Sequence, residues 1–413
     1  MTGTADLDAL LSDLDALLSV PGAELLASLR HQAITPDTAL ALGTRLRETY
    51  PAGLVAAALA QHELRLAARA KFSRAMDMYF TRAGLEQASA EVVARHRQAR
   101  FRGAGAVADL CCGIGGDLAV LAGEHQVRAV DRDPLHLRMA TLNAAAYGVG
   151  GSVRPVQGDV REAALAGVDA VFIDPSRRTA GSTGGRRLGP GASEPPLDWC
   201  LGLATRVPRV GIKSAPGIAR DAVPGGWELE FVAVGRDLKE AVAWSPSLAG
   251  PATRATILPG GHTLTPQPGP PVPVAAPGPF LLDPNPAVTR AGLVEELARP
   301  LAAWKIDERI AFLCTETAVH TPFARTLQVI DSGPWNQKRL PARLRDLGIG
   351  ALDIRRRGLA GDVGQLHRQL KLTGSRRATL VMTRARNQPW GLVCLDLPGC
   401  GATGGAGGPG EEP

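Results

Sequence analysis

Long apolar runs are missing from the chain. No stretch of its 413 residues reaches the roughly 18 uncharged positions that a membrane span requires, so no membrane partner is expected. A basic lead is missing too: the first residues are acidic (Asp6, Asp8, Asp13, Asp15), unlike a secretory signal, and the chain is expected to be cytoplasmic. Paired cysteines are absent. Cys111, Cys112, Cys200, Cys314, Cys394 and Cys400 form no CxxC pair and have no histidine close by, which excludes a disulfide framework and a zinc site, so no metal is expected. No internal repeat is present, which removes solenoids and propellers from consideration.

What is present is enough apolar material for several cores. At 413 residues and 45% hydrophobic content, two or three domains are expected. Charge is distributed unevenly. Between Lys338 and Asn387 there are 13 Lys/Arg against three Asp, a net +10; with +6 for the whole chain, the remainder carries −4. A basic module on a mildly acidic body fits a polyanionic partner, because clustered cations displace counterions from phosphate backbones; an Arg-rich solvated face is the plainer alternative.

Residues 1–100 read as a helical region, with apolar spacings such as Leu10, Leu14, Leu17, Leu18 and a break at Pro21-Gly22. Its last part, Lys71 to Ser89, gathers aromatic, Met and polar residues and reads as packing at a domain joint or as a ligand wall. Over 101–258 strands alternate with helices: Val107–Cys112, Val127–Val130, Val153–Gln157, Ala170–Ile173, Arg209–Lys213, Trp227–Val234, Lys239–Trp244 and Ala255–Leu258. That alternation calls for an α/β fold, a mostly parallel sheet covered on both faces, with an antiparallel edge. The turn-rich run Thr179–Pro196 reads as a long mobile loop, either closing on substrate or a tolerated insertion. A Pro-rich linker is expected over 259–279, a basic α+β region over 280–397, and a disordered Gly-rich tail over 398–413. Within 280–397 a helix is expected from Ala287 to Trp304.

The organising stretch is Val107 to Leu118. A short apolar run carrying Asp109 turns through Cys111, Gly113, Gly115 and Gly116 into a helix start, the way a nucleotide-like ligand is met at the end of a parallel strand. A nicotinamide cofactor fits poorly: the third glycine of GxGxxG is lacking, and Asp109 would face a pyrophosphate. Four strand ends in succession carry an acid, Asp109, Asp131, Asp159 and Asp174. A doubly wound sheet would bring them to one crevice, although any single one could simply cap the next helix. All four have a task if the ligand is S-adenosylmethionine. Asp131 suits both ribose hydroxyls, Asp109 the ammonium, Asp159 the adenine amino group, and Asp174 an acceptor amine beside the departing methyl.

On these residues the chain resembles class I S-adenosylmethionine-dependent methyltransferases, with Asp109-Leu-Cys-Cys-Gly113-Ile-Gly115-Gly116, Asp131, Asp159 and Asp174-Pro175-Ser176-Arg177 as successive motifs. Within that superfamily it is similar to the trimethylguanosine-synthase-like RNA methyltransferases, which share Asp-x-x-Cys-Gly-x-Gly-Gly and an aromatic-Thr segment like Phe80-Thr81. Lys338-Arg339-Leu340 and Ile354-Arg355-Arg356-Arg357-Gly358 resemble a THUMP-like domain.

The resemblance implies a Rossmann-like fold and S-adenosylmethionine as cofactor, held by Thr81, Asp109, Cys111, Gly113, Gly115, Gly116, Asp131 and Asp159. It implies an acceptor site at Asp174, Pro175, Ser176 and Arg177, and RNA gripped by the C-terminal module through Arg355, Arg356, Arg357, Arg376 and Arg377. Two departures stand out. Cys111 replaces the first glycine of the turn, and Ser176-Arg177 replaces the Pro-aromatic pair on which a flipped base would stack, leaving stacking to Arg177, Tyr79, Phe80 or Trp244. The expected reaction is methylation of a base nitrogen in a structured RNA such as tRNA or rRNA. A small-molecule or protein methyltransferase, or a non-catalytic RNA-binding relative, remain alternatives.

Overall fold

A computed structural model describes residues 4–32, 34–176, 193–370 and 372–397. The expectations for Arg177, Arg178, most of the 179–196 loop and the 398–413 tail lie outside the described residues. Two compact units emerge, one comprising Met1–Leu229 with Glu240–Ala252, the other Glu230–Lys239 with Thr253–Pro413.

The first unit opens with four helices, α1 (Thr4–Leu18), α2 (Val20–Leu29), α3 (Pro36–Leu46) and α4 (Ala52–Ala68). Their apolar stripes meet in a core of Leu17, Leu25, Leu29, Leu42, Val55 and Ala58. The helix break sits at Ser19 and not at Pro21-Gly22. The Ser19 side chain caps α2 by accepting the Gly22 N–H at 3.2 Å, and Pro21 fits the first turn, where no N–H is needed. Helix does not continue to residue 100 either. Residues 69–81 hold only a single turn, Ala75–Asp77, before α5 (Arg82–Gln87) and α6 (Glu91–Gln98). In that irregular stretch Phe72, Met78 and Phe80 are core residues, packed with Ile114, Leu135 and Met139.

The sheet that follows contains β1 (Ala106–Leu110), β2 (Gln126–Asp131), β3 (Val153–Gln157), β4 (Ala170–Ile173), β5 (Arg209–Ser214), β6 (Glu228–Val234) and β7 (Asp237–Trp244). Helices α7 (Leu118–Leu121), α8 (Pro134–Ala146) and α9 (Leu197–Gly202) connect its parallel strands. Within a nine-stranded sheet these seven strands run in the order β3-β2-β1-β4-β5-β7-β6. The first five are parallel and β7 runs antiparallel to β5, the expected antiparallel edge. The chain winds outward from β1 to β3, then returns to lay β4 on the other side of β1, so the direction of winding switches between β1 and β4. β4 is buried along its whole length, and β1 along all but its first residue, because helices cover both faces; this accounts for their near-continuous apolar sequences.

The second unit contains β8 (Thr253–Leu258), β9 (His262–Leu264), β10 (Phe280–Pro284), α10 (Pro286–Ala291), α11 (Val294–Ala298), β11 (Trp304–Lys305), β12 (Leu313–Thr315) and β13 (Ala324–Pro334). It ends with α12 (Leu340–Asp346), β14 (Ile349–Arg356), α13 (Val363–Gln369), β15 (Arg376–Ala385) and β16 (Gln388–Asp396). Seven of these strands form a sheet in the order β11-β12-β10-β13-β16-β15-β14. The single helix expected from Ala287 to Trp304 is broken: Gly292 closes α10 at φ 74°, a left-handed cap, and Trp304 belongs to a strand. The Pro-rich stretch is tied down, since Arg299 donates to the carbonyls of Gln267 and Pro270 and the Trp304 indole to that of Ala276. Among the described residues no helix is long and apolar enough to cross a membrane.

Glu91 fastens the irregular segment to the sheet domain. Its carboxylate accepts from the Ser73 N–H (2.8 Å) and hydroxyl (2.7 Å), the Tyr147 hydroxyl (2.8 Å) and Arg95 (3.0 Å). Burial alone would raise its pKa, but the Ser73, Arg95 and Tyr147 hydrogen bonds outweigh it and hold the group at about 2 against an ordinary 4.5. A depressed carboxylate pKa adds stability that is complete above the unfolded value and is lost as pH falls through the folded one. Wild type should therefore melt above Glu91→Gln at pH 6, and the gap should narrow as pH falls from 4.5 toward 2 in thermal denaturation; a gap independent of pH would contradict this assignment.

Candidate active site

After β1 the chain enters the glycine turn. Cys111 takes φ 60°, Gly113 φ 52° and Gly115 φ 83°. The left-handed value at Cys111 is one that glycine adopts without strain; a side chain in this region costs on the order of 1 kcal/mol. Gly115 lies against α8 so closely that a Cβ would come within 2.8 Å of the Ala140 Cα, so only glycine fits.

The turn is held from two sides. On one, the Asp131 carboxylate accepts the Gly113 N–H at 2.8 Å and the Asp133 N–H at 2.9 Å, while the N–H of Cys111 reaches the Val130 carbonyl at 2.9 Å. On the other, the fully buried Asn143 of α8 donates to the carbonyls of Ile114 (2.8 Å) and Tyr79 (3.0 Å) and accepts the Tyr79 N–H (2.7 Å). Thr81 joins the same corner, accepting from the Gly84 N–H and meeting His136 Nε2 at 3.0 Å. Asp133, which follows Asp131, caps α8 through the N–H groups of Leu135 and His136.

Asp109 is 1% exposed and neither carboxylate oxygen has a hydrogen-bond partner among the described residues. Burial first, and then the nearby Asp117 and Asp174, push its pKa well above the carboxylate range. A cationic ligand group is what such a carboxylate lacks. Burial, and then the neighbouring Asp131 and Asp174, likewise push the Cys111 thiol up, which leaves it protonated and a poor nucleophile. Asp174 follows β4 and pairs with Lys213 Nζ of β5 at 2.5 Å. Lys213 is 8% exposed, so its charge is committed to that carboxylate. Pro175 is buried, and Ser176 pairs its backbone with Glu194.

Asp109, Cys111, Gly113, Asp131 and Asp174 thus share one edge of the sheet. Asp159, which follows β3, accepts the Arg161 N–H at 2.8 Å and pairs with the Arg161 side chain at 3.2 Å. Two of the expected stacking platforms are corrected. Trp244 is wholly buried edge-on against Phe101, and Phe80 is 3% exposed in the core, so neither can receive a base.

Three residues escaped the sequence reading. Asn143 sits within helix α8, whose sequence carries no signal of its role. Lys213 interrupts the apolar strand Arg209–Ser214, and a lone lysine inside a buried strand was the available signal. Arg97, on α6, lies under the sheet, bound to Asp117 and Glu240 with its guanidinium 5.0 Å from the Phe172 ring. Burial opposes its charge, but the two carboxylates more than compensate and keep it ionised.

The β3-β2-β1-β4-β5-β7-β6 order, the glycine turn at the switch point and a carboxylate at the end of β2 define a class I methyltransferase domain. Comparison with known proteins agrees. A family model described as RNA cap guanine-N2 methyltransferase matches residues 104–189, a THUMP domain-like model matches 324–395, and a domain of unknown function matches 8–68. Two Mycobacterium tuberculosis proteins, described as uncharacterized S-adenosylmethionine-dependent methyltransferases, are 36% identical over 318 residues, covering 74% of this chain and 84% of theirs. The fold matches the crystal structure of a candidate methyltransferase from Porphyromonas gingivalis W83 at TM-score 0.67 and 20% identity, across 89% of this chain and 100% of that one. The chain belongs to the S-adenosylmethionine-dependent methyltransferases, class I, with a THUMP-like C-terminal domain. It is an enzyme whose cofactor is S-adenosylmethionine.

The residues present fit that cofactor: an orphaned carboxylate for a cation at Asp109, spare lone pairs on Asp131 for hydroxyls, and a glycine turn that lets a ligand approach the main chain. The raised Asp109 pKa has a defined sign. A carboxyl favoured in its protonated form by the fold loses stability as pH rises from the ordinary carboxylate value toward the folded one. Asp109→Asn should therefore melt above wild type by a few degrees at pH 8, about 1 kcal/mol or more, with a smaller gap at pH 5. Equal melting temperatures at pH 8 would show that Asp109 is not held in this unfavourable state.

Proposed function

We propose that the enzyme methylates a nitrogen of a base in structured RNA, with residues 101–258 carrying out the transfer and residues 280–397 holding the RNA. The observation that carries this reading is the Asp174–Lys213 pair. It fixes a carboxylate at the end of β4, beside the cofactor corner, where it can accept an N–H of the acceptor and aim the nitrogen lone pair. S-adenosylmethionine supplies an electrophilic methyl on a sulfonium, so the protein has mainly to align the acceptor and exclude water. Asp174 and the Pro175 carbonyl orient the acceptor, Ser176 borders it, and the proton released from nitrogen passes to Asp174 or to water. Thr81, Asp109, Cys111, Gly113, Gly115, Gly116 and Asp131 line the cofactor, with Asp159 at its adenine end.

The RNA acceptor is supported by the matches to RNA cap guanine-N2 methyltransferase and THUMP domain-like families. Exposed Arg355, Arg356, Arg376 and Arg377, with the half-buried Arg357, add a surface suited to phosphates. A cytoplasmic setting accords with five free cysteines among the described residues.

The test is incorporation of tritiated methyl from S-adenosylmethionine into total cellular RNA, with protein and small-molecule fractions counted separately. Label should enter RNA. Asp174→Ala should lower transfer at least about 100-fold and Lys213→Met about 10-fold, both with nearly unchanged cofactor affinity by calorimetry. Label confined to the protein or small-molecule fraction, or full turnover by Asp174→Ala, would refute the reading.

A further inference from the structure

The arginines of the second unit are of two kinds. Arg377 pairs with Asp353 at 3.0 Å, Arg376 donates to the Leu347 carbonyl at 3.3 Å and Arg356 to the Gly361 carbonyl at 2.5 Å, so these three are engaged locally. A second group converges on one buried carboxylate, Asp283 of β10, which is 6% exposed. Arg236, in the turn between β6 and β7, donates to Asp283 Oδ2 at 2.7 Å and to its backbone carbonyl at 3.2 Å. The turn is held there because the Asn285 amide donates to the Gly235 carbonyl at 2.8 Å. Arg357 reaches the other oxygen of Asp283 at 3.6 Å. Arg325 of β13 lies opposite Asp283 in the β10–β13 register and pairs with Asp396 at 3.0 Å. Arg355, at the end of β14, is exposed beside them.

Four guanidinium groups therefore face two carboxylates, a local excess of two positive charges. The strain of that excess is visible in the geometry. Arg357 lies 4.8 Å over the Phe312 ring, yet its Nη1 is buried without a hydrogen-bond partner among the described residues. Arg236 titrates below the usual guanidinium range, first because of burial and then, against the pull of Asp283, because of Arg355, Arg325 and Arg357. A buried donor left unpaired costs on the order of 1–3 kcal/mol, so the local carboxylates leave the cluster unsatisfied, and an anion with several acceptor oxygens would pair with its outer guanidinium groups. Planar, forked donors gathered around one carboxylate match phosphate oxygens better than scattered surface lysines would.

We propose that Arg236, Arg325, Arg355 and Arg357 form a single phosphate-binding site around Asp283, taking backbone phosphates of the RNA acceptor. The inference rests on the RNA reading above and sharpens it, because it names Arg236 and Arg325, which lie outside the Lys338–Asn387 basic run, and leaves Arg356, Arg376 and Arg377 in a lesser role. The phosphate could also come from a free anion, and the experiment separates the two.

The full-length protein is titrated with fluorescein-labelled total tRNA by anisotropy over a range of salt concentrations. Arg355→Ala and Arg236→Ala should each weaken binding about 3- to 10-fold and reduce the slope of log affinity against log salt by about one. Arg154→Ala, an exposed arginine of β3 outside the cluster, should change neither. Arg357→Ala also removes packing on Phe312, so the exposed Arg355 carries the decision. If wild type binds RNA and the cluster variants keep its slope, the site is wrong and the RNA reading stands. If wild type shows no salt-dependent RNA binding, both fall. If inorganic phosphate protects the wild type against heat, but not Arg355→Ala, while RNA affinity is equal in both, the site belongs to a free anion and the inference is overturned.

Discussion

The Asn143 side-chain amide is the point on which the site depends. A single buried group satisfies three main-chain partners, the carbonyl and N–H of Tyr79 and the carbonyl of Ile114. It thereby locks the irregular segment before the sheet domain against the glycine turn, and both against α8. Each of these main-chain groups is remote from regular secondary structure and would otherwise be buried unpaired, at a cost of about 1–3 kcal/mol apiece. Asp131 holds the far side of the same turn through Gly113. The turn is thus clamped between a helix and a strand end before any ligand arrives, which is what a site that relies on alignment requires.

Electrostatics at the same edge run against stability. Asp109 is a buried carboxyl without a partner among the described residues, close to Asp117 and Asp174, and Cys111 holds a left-handed conformation that glycine would adopt without strain. Both features make sense as adaptations to a cationic ligand and a close main-chain approach, with stability ceded at the site and recovered elsewhere. The recovery is in part identifiable. Arg97, Asp117 and Glu240 satisfy one another under the sheet, and Lys213 neutralises Asp174 at its upper edge.

Much of this was legible in the residues, and the exceptions follow from physics. Strands β3 and β4 agree with expectation to the residue, because short apolar or alternating runs bounded by Gly, Pro and Asp leave little latitude. The acidic strand ends were legible for the same reason, as parallel winding carries them to one edge. Asn143, Lys213 and Arg97 act through contacts 64, 39 and up to 143 positions away, which no local pattern encodes. The helix expected from Ala287 to Trp304 failed because Gly292 adopts a left-handed cap that its apolar spacing does not reveal. Trp244 looked like an accessible ring beside the site, but its strand is covered on both faces.

The central claim is that the clamped turn and the strand ends form the S-adenosylmethionine pocket. Calorimetric titration of the cofactor into Asp131→Ala, compared with wild type and with Asp159→Ala, tests it most directly. The account predicts that Asp131→Ala loses affinity at least about 100-fold, since the carboxylate both braces Gly113 and receives the ribose, whereas Asp159→Ala, at the pocket's margin, loses about 10-fold or less. Wild-type affinity in Asp131→Ala would contradict it.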